Sequence, residues 1–215
     1  MASKVYILGG YQTDFAQNWA RNELDLFDVF KDTVHKGLNE TNLEPKDIEV
    51  AHVGNFTAEL FCNQGHLGGF FVSSDPAFYS GIPASRHEAA CASGSIATLA
   101  ASAELELGRY DLAAVIGIEQ MKNVSAHEAA NNIGGPAMWS GHECQNIDYP
   151  WPHMFSLLTE EYDKRYSLDE KYLSRISEIN ITNAKRNKNS QTRGWTFDKN
   201  SFSRSDKFNP VIEGR

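Results

Sequence analysis

A chain of 215 residues with 41% hydrophobic content is long enough for one large or two small domains and can bury a real core. Its 28 acidic residues against 20 basic ones leave a formal net charge of −8, which argues against a sequence-independent grip on nucleic acid, while local basic clusters leave room for a phosphate-bearing ligand. No apolar run approaches the roughly 20 residues that cross a bilayer, and the opening MASKVYILGG reads as a strand and not as a secretory signal. A soluble, cytoplasmic protein with no membrane and no nucleic-acid partner is expected.

In chain order, Lys4 to Gly10 alternates and predicts a strand closed by a glycine turn. Leu24, Phe27, Phe30, Val34 and Leu38 recur at helical steps and form one apolar face. Pro45 to Asp47 predicts a turn, Ile48 to Gly54 a strand, and Gln64 to Ser74 a glycine-containing helix. Arg86 to Ala90 is a candidate short strand, Ser93 to Leu107 a helix, and Asp111 to Ile118 a nearly continuous apolar run, expected as a strand buried on both faces. The alternation predicts a layered α/β core with a mixed sheet over residues 1–120. Residues 121–160 bring Gly134, Gly135, Pro136, Pro150 and Pro152 among His, Asn and Trp, so loops and short helices are expected there. One amphipathic helix, about Ser167 to Lys188, follows, then a polar tail with Arg193, Lys199, Arg204 and Lys207.

Three cysteines, Cys62, Cys91 and Cys144, lie far apart without a CxxC pair, which argues against a disulfide framework and fits a reducing compartment. Each first reads as a small buried apolar residue. Cys91 differs in its surroundings. In HEAACASGSIATLAASAELELG it follows a short strand and comes just before Ser93, a candidate N-cap of the next helix. Free N–H groups and the dipole at that helix end favour a negative group, so a thiolate is stabilised there. Ala89, Ala90, Ala92 and Gly94 leave room for a substrate. The two readings of Cys91 are an acyl-accepting nucleophile and a cysteine buried at a helix start.

This segment resembles the nucleophile turn of thiolases, and Glu88, three residues ahead of Cys91, resembles their sterol-carrier-protein-2-like branch. The likeness runs from the opening strand through GRYDLAAVIGIEQM to PHMFSLLTEEY. It implies a layered αβα thiolase fold with a mixed sheet over residues 1–120 and an inserted loop domain facing coenzyme A over 121–215. The implied activity is acyl transfer: the cysteine takes an acyl group from a thioester and passes it to coenzyme A or to the α-carbon of another acyl-CoA. Coenzyme A is then a substrate and no separate cofactor is implied. The His-Met pair of such loop domains lies beside the pantetheine arm, which makes His153 and Met154 candidate coenzyme A contacts; the alternative is a surface histidine beside a packed methionine. Basic residues beyond Lys185 are candidates for its phosphates. The family's catalytic histidines and second cysteine belong to its C-terminal half, so none of His35, His52, His66, His87, His127 or His142 is assigned as a base.

The chain ends at VIEGR in a polar stretch where such proteins continue, so a fragment, or a half completed by a longer or second chain, is expected, in a homodimer or homotetramer. Three rivals remain. A metal-dependent hydrolase would draw on His87, Glu88 and Cys91, or on His127, Glu128, His142, Glu143 and Cys144, but a zincin helix needs histidine where Cys91 and Asn131 stand. A ketoacyl synthase shares the cysteine at a helix start, yet lacks the His-Met pair. The third is a catalytically incomplete thiolase-like subunit or scaffold.

Overall fold

The computed structural model describes residues 4–138, 147–198 and 201–202. The chain forms two compact units, residues 1–13 with 19–124, and residues 14–18 with 125–215.

In the first unit, helix α1 (Leu26–Thr41) starts on a capping box in which Asp28 N donates to Asp25 Oδ1 (2.8 Å) and Asp25 N donates to Asp28 Oδ2 (3.1 Å). Its buried face is Leu26, Val29, Phe30, Val34 and Leu38; of the face expected from the sequence, Phe30, Val34 and Leu38 are on it, Phe27 is half-buried, and Leu24 precedes the helix and is exposed. Strand β1 (Val50–Gly54) follows, then α2 (Ala58–Cys62), α3 (Leu67–Ser74), α4 (Pro76–Tyr79), β2 (Ala84–His87), α5 (Ser93–Glu106) and β3 (Ala113–Gly117). The sheet order is β2-β1-β3. Both pairings are parallel, with His52 opposite Ser85 and Gly54 opposite both His87 and Gly117.

Alternation along β1 decides which helix covers which face. Ala51 and Val53 join a core cluster with Phe30, Leu67, Phe71 and Tyr79, whereas His52 and Gly54 face α5. The central strand is thereby sandwiched between two helical layers. Phe30 and Phe71 are wholly buried, each contributing about 1.5–3 kcal/mol by removal from water. On the α3 side the approach is tight: a Cβ on Gly68 would lie 2.8 Å from the Ala84 carbonyl oxygen. The α/β class expected from the sequence is present, and the described strands are all parallel.

Two expectations for this unit are corrected. Lys4 to Gly10 is not a strand, because no described strand hydrogen-bonds to it and a strand exists only by pairing. Tyr6, Ile7 and Leu8 are exposed, and the segment lines a cavity of about 680 Å³ with Val34, Leu105 and Val115. Strand β3 is not buried on both faces either: Ile116 is buried but Val115 is 42% exposed toward that cavity.

The second unit is helical over its described residues, with α6 (Ala126–Gly134), α7 (Pro150–Tyr166) and α8 (Glu170–Ala184). Loops and short helices were expected up to residue 160, yet α7 runs for 17 residues. Pro150 and Pro152 do not prevent this, because they occupy the first turn, where the N–H groups have no intrahelical acceptor. The single helix expected from Ser167 starts later. Ser167 adopts a left-handed conformation (φ 56°) that ends α7, and Asp169 caps α8 by accepting from Lys171 N. Arg193 clamps Asp14 through two bonds of 2.6 and 2.9 Å, which holds the Asp14 carboxyl below its ordinary range. No helix among the described residues is long and apolar enough to cross a membrane.

Candidate active site

Cys91 lies in a single 3-10 turn, Ala90–Ala92, between the end of β2 and the start of α5. Its side chain is exposed, so the reading as a buried helix-start cysteine is corrected. The preceding residue, Ala90, has φ 49°, a left-handed conformation that costs an L-residue about 1–2 kcal/mol. Side chains on both sides offset that cost. Glu88 Oε1 accepts from Ala90 N at 2.6 Å, and Ser93 Oγ accepts from Ala89 N (3.0 Å) while donating to Ala90 O (2.7 Å).

Ser93 therefore does not cap α5 as its position in the sequence suggested. It is the first helical residue, the capping position is Ala92, and no side chain caps that end. The hydroxyl is committed to the turn. The 3-10 turn runs directly into α5, so Ala92 N donates to Ala89 O at 2.9 Å and Ser93 N donates to Ala90 O.

The turn is seated on β1. A Cβ built on Gly54 would lie 2.8 Å from both the Cα and N of Gly94, so only glycine at position 54 allows the strand to approach the first turn of α5 this closely. Because the sheet is parallel, the carboxyl ends of its three strands converge at one edge, where α/β folds bind their ligands. Cys91 follows β2 there. Asn55 and Thr57 follow β1, and Glu119 follows β3.

Those last three residues form a polar network that the sequence reading did not single out. The Glu119 carboxylate accepts from Phe56 N, from Thr57 N (3.3 Å) and from Thr57 Oγ1 (2.8 Å). Asn55 Nδ2 donates to Ile118 O at 2.7 Å and its Oδ1 accepts from Ala58 N at 3.2 Å. Asn55 and Thr57 are almost fully buried, so this network fixes the loops after β1 and β3 against each other. The only local signal was polar residues directly after apolar strand runs. Next to it, Cys62 Sγ donates to Gln120 Oε1 (3.4 Å). Burial, with the nearby Glu119 and Asp25 carboxylates, pushes the Cys62 thiol up. Cys62 is thus held as a thiol.

A second cluster lies on the α5 face of the sheet. His52 Nδ1 is 2.9 Å from His87 Nε2, and His52 Nε2 is 3.2 Å from Glu104 Oε2. Ser85 Oγ is also 2.9 Å from His87 Nε2. Burial and the adjacent His52 hold His87 below the ordinary histidine range, with Glu104 opposing them.

His153 and Met154 belong to the second unit, on α7. His153 is buried and its Nδ1 has no hydrogen-bond partner among the described residues, so it is not the surface histidine of the alternative reading. Met154 is half-buried. His142, Cys144, Lys199, Arg204 and Lys207 lie outside the described residues. Among the described residues, no three His, Cys, Asp or Glu side chains converge as a metal-ligand set.

Comparison with known proteins decides the family: the thiolase N-terminal domain matches residues 5–192. The chain belongs to the thiolase family. It is 30% identical over 187 residues to the acetyl-CoA acetyltransferase of Methanocaldococcus jannaschii, covering 87% of this chain and 45% of that protein. The acetyl-CoA acetyltransferase of Methanothermobacter thermautotrophicus is 26% identical, over 87% of this chain and 46% of its own length. Non-specific lipid-transfer protein-like 2 of Caenorhabditis elegans is 26% identical over 204 residues, 91% of this chain and 48% of that protein. The chain spans about half the length of the curated relatives it matches.

Proposed function

We propose that this thiolase-family chain supplies the nucleophile of an acyl-CoA acyltransferase of the acetyl-CoA C-acetyltransferase or 3-ketoacyl-CoA thiolase type. The observation that carries the reading is the exposed Cys91 in a stapled strand-to-helix turn at the carboxyl edge of the parallel sheet. In the condensing direction its thiolate attacks the carbonyl carbon of an acyl thioester, a new sulfur–carbon bond forms, and the coenzyme A sulfur leaves and takes up a proton. In the thiolytic direction it attacks the 3-keto carbon of a 3-ketoacyl-CoA, the bond between C2 and C3 breaks, and the C2 carbanion of the departing acyl-CoA takes up a proton. The acyl group then passes to a coenzyme A thiol or to the α-carbon of a second acyl-CoA.

His153 and Met154 are proposed contacts of the pantetheine arm. The buried Nδ1 of His153, which has no hydrogen-bond partner among the described residues, supports this, since a buried polar nitrogen without a partner is costly unless a ligand satisfies it. The proposed setting is a cytoplasmic homodimer or homotetramer. A second reading is a catalytically incomplete thiolase-like subunit or scaffold that needs a partner chain.

The test is mass spectrometry of the protein after mixing with acetyl-CoA and longer acyl-CoAs, with peptide mapping. An acyl adduct on Cys91, absent in Cys91→Ser, is the expected result. A complete protein that forms no adduct, with Cys91 still open to small alkylating agents, would sink the enzyme reading and leave the scaffold.

A further inference from the structure

The His52–His87 pair joins three elements that surround the Cys91 turn. His52 is in the central strand β1, His87 is the last residue of β2, and Glu104 lies in the last turn of α5. His52 is 4% exposed, so its two ring nitrogens depend on these partners. The main chain repeats the connection, as Asn55 N donates to His87 O at 3.2 Å. Four residues after His87 comes Cys91. The side-chain contact between the two rings adds to this main-chain pairing at the end of β2, from which the chain enters the strained Ala90 conformation.

That contact tolerates a limited number of protons. Glu104 Oε2 accepts from His52 Nε2–H, so a neutral His52 offers the Nδ1 lone pair and His87 Nε2–H donates to it. One added proton preserves a hydrogen bond, because either ring as the cation still donates to the other. Two added protons set N–H against N–H between like charges, and the contact is lost. Ser85 Oγ, 2.9 Å from the same His87 nitrogen, is the alternative acceptor to which the ring then turns. The charged groups facing the pair are Glu104 and, through its other oxygen at 3.3 Å, Arg109. Arg86, between Ser85 and His87 in sequence, points to the other face and engages Glu59 and the carbonyls of Asn55 and Phe56.

We propose that His52 and His87 are positioning residues for Cys91: a proton-sharing latch that holds the end of β2 in place and releases it when both rings are charged. The proposal rests on the reading of Cys91 as the reactive cysteine and is tested without acyl-CoA. The rate of Cys91 alkylation by iodoacetamide, followed by peptide mass spectrometry between pH 5 and 8, is compared in the full chain and in His87→Gln. The glutamine amide can still donate to His52 Nδ1 but does not titrate. A simple thiol loses reactivity with a slope of about one in log rate against pH. The native chain is expected to steepen toward about two below the ordinary histidine range of about 6.5, while His87→Gln keeps the single slope and the same far-UV circular dichroism. Ring NMR of the native chain should show the two histidines titrating in coupled steps.

Parallel alkylation profiles in the two proteins, or rings that titrate independently, would overturn the latch. Should His87→Gln fail to fold, Glu104→Gln carries the test. Its amide oxygen still accepts from His52, and loss of the negative charge should move the steep limb to lower pH; an unmoved limb would overturn the proposal. Normal alkylation with no acyl adduct would instead remove the acyltransferase reading and leave the latch standing.

Discussion

Gly54 and Gly94 meet main chain to main chain, with space between them for no further atom: a Cβ on Gly54 would stand 2.8 Å from the Cα of Gly94. The contact sets the height of the first turn of α5 above the sheet, and Cys91 rides on that turn. Gly54→Ala should therefore push strand and helix apart, lowering stability by about 1–3 kcal/mol and changing the alkylation rate of Cys91. Urea unfolding followed by circular dichroism, with thiol labelling in the native state, measures both. A variant as stable and as reactive as the native chain would show that the turn does not depend on this contact.

The two described cysteines should separate cleanly in reactivity. Cys91 is exposed, while burial and nearby carboxylates raise the Cys62 thiol. Iodoacetamide at pH 8 should label Cys91 first, with Cys62 slower by about tenfold or more. Because the folded Cys62 holds its proton more tightly than the unfolded one, its contribution to stability is full below the ordinary cysteine value of about 8.5 and is lost as pH rises from there through its raised folded range. Cys91→Ser, at an exposed position, should abolish acyl adducts while changing stability by less than about 0.5 kcal/mol.

Glu119 ties the loop after β3 to the loop after β1 by accepting from two main-chain N–H groups and the Thr57 hydroxyl. In Glu119→Gln one carboxylate oxygen becomes an NH2 group that faces donors. The expected loss is about 1–3 kcal/mol, read as a lower urea midpoint with unchanged slope. An unchanged midpoint would mean that the network adds nothing to the folded state.

His87 gives the acid side of the stability curve a definite sign. Its folded form binds a proton less readily than an unfolded histidine. Between its lowered range and the ordinary value of about 6.5, the unfolded chain carries more protons, so stability is full above that window and falls as pH drops through it. His87→Gln should flatten this part of the curve, as measured by urea midpoints at a series of pH values. A curve of the same steepness in both proteins would assign the acid loss to other groups.

Much of the layered core was legible in the sequence because its signals are local and periodic. The apolar steps of α1 mark a buried helix face, the apolar β1 run is buried on both of its faces, and the small residues of α5 include the buried Ala97 and Ala101. The motif around Cys91 was legible for the same reason, since strand end, cysteine and helix start are contiguous. What failed were features that depend on distant partners. Lys4 to Gly10 alternates like a strand and is not one, because a strand needs a hydrogen-bonded neighbour and no described strand pairs with it. Ser93 looked like a cap, yet its hydroxyl found better-placed groups in the Ala89–Ala90 turn.

By itself, then, the sequence determined the α/β alternation, the apolar faces and the candidate nucleophile, all of which follow from residues within a few positions of one another. Only the tertiary structure decided that Gly54 seats the turn, that Glu119 reaches back 62 and 63 residues to Thr57 and Phe56, and that His52 meets His87 across 35 residues. Those contacts arise because parallel strands bring their carboxyl ends to one edge whatever their separation along the chain, and no local pattern encodes which side chains will meet there.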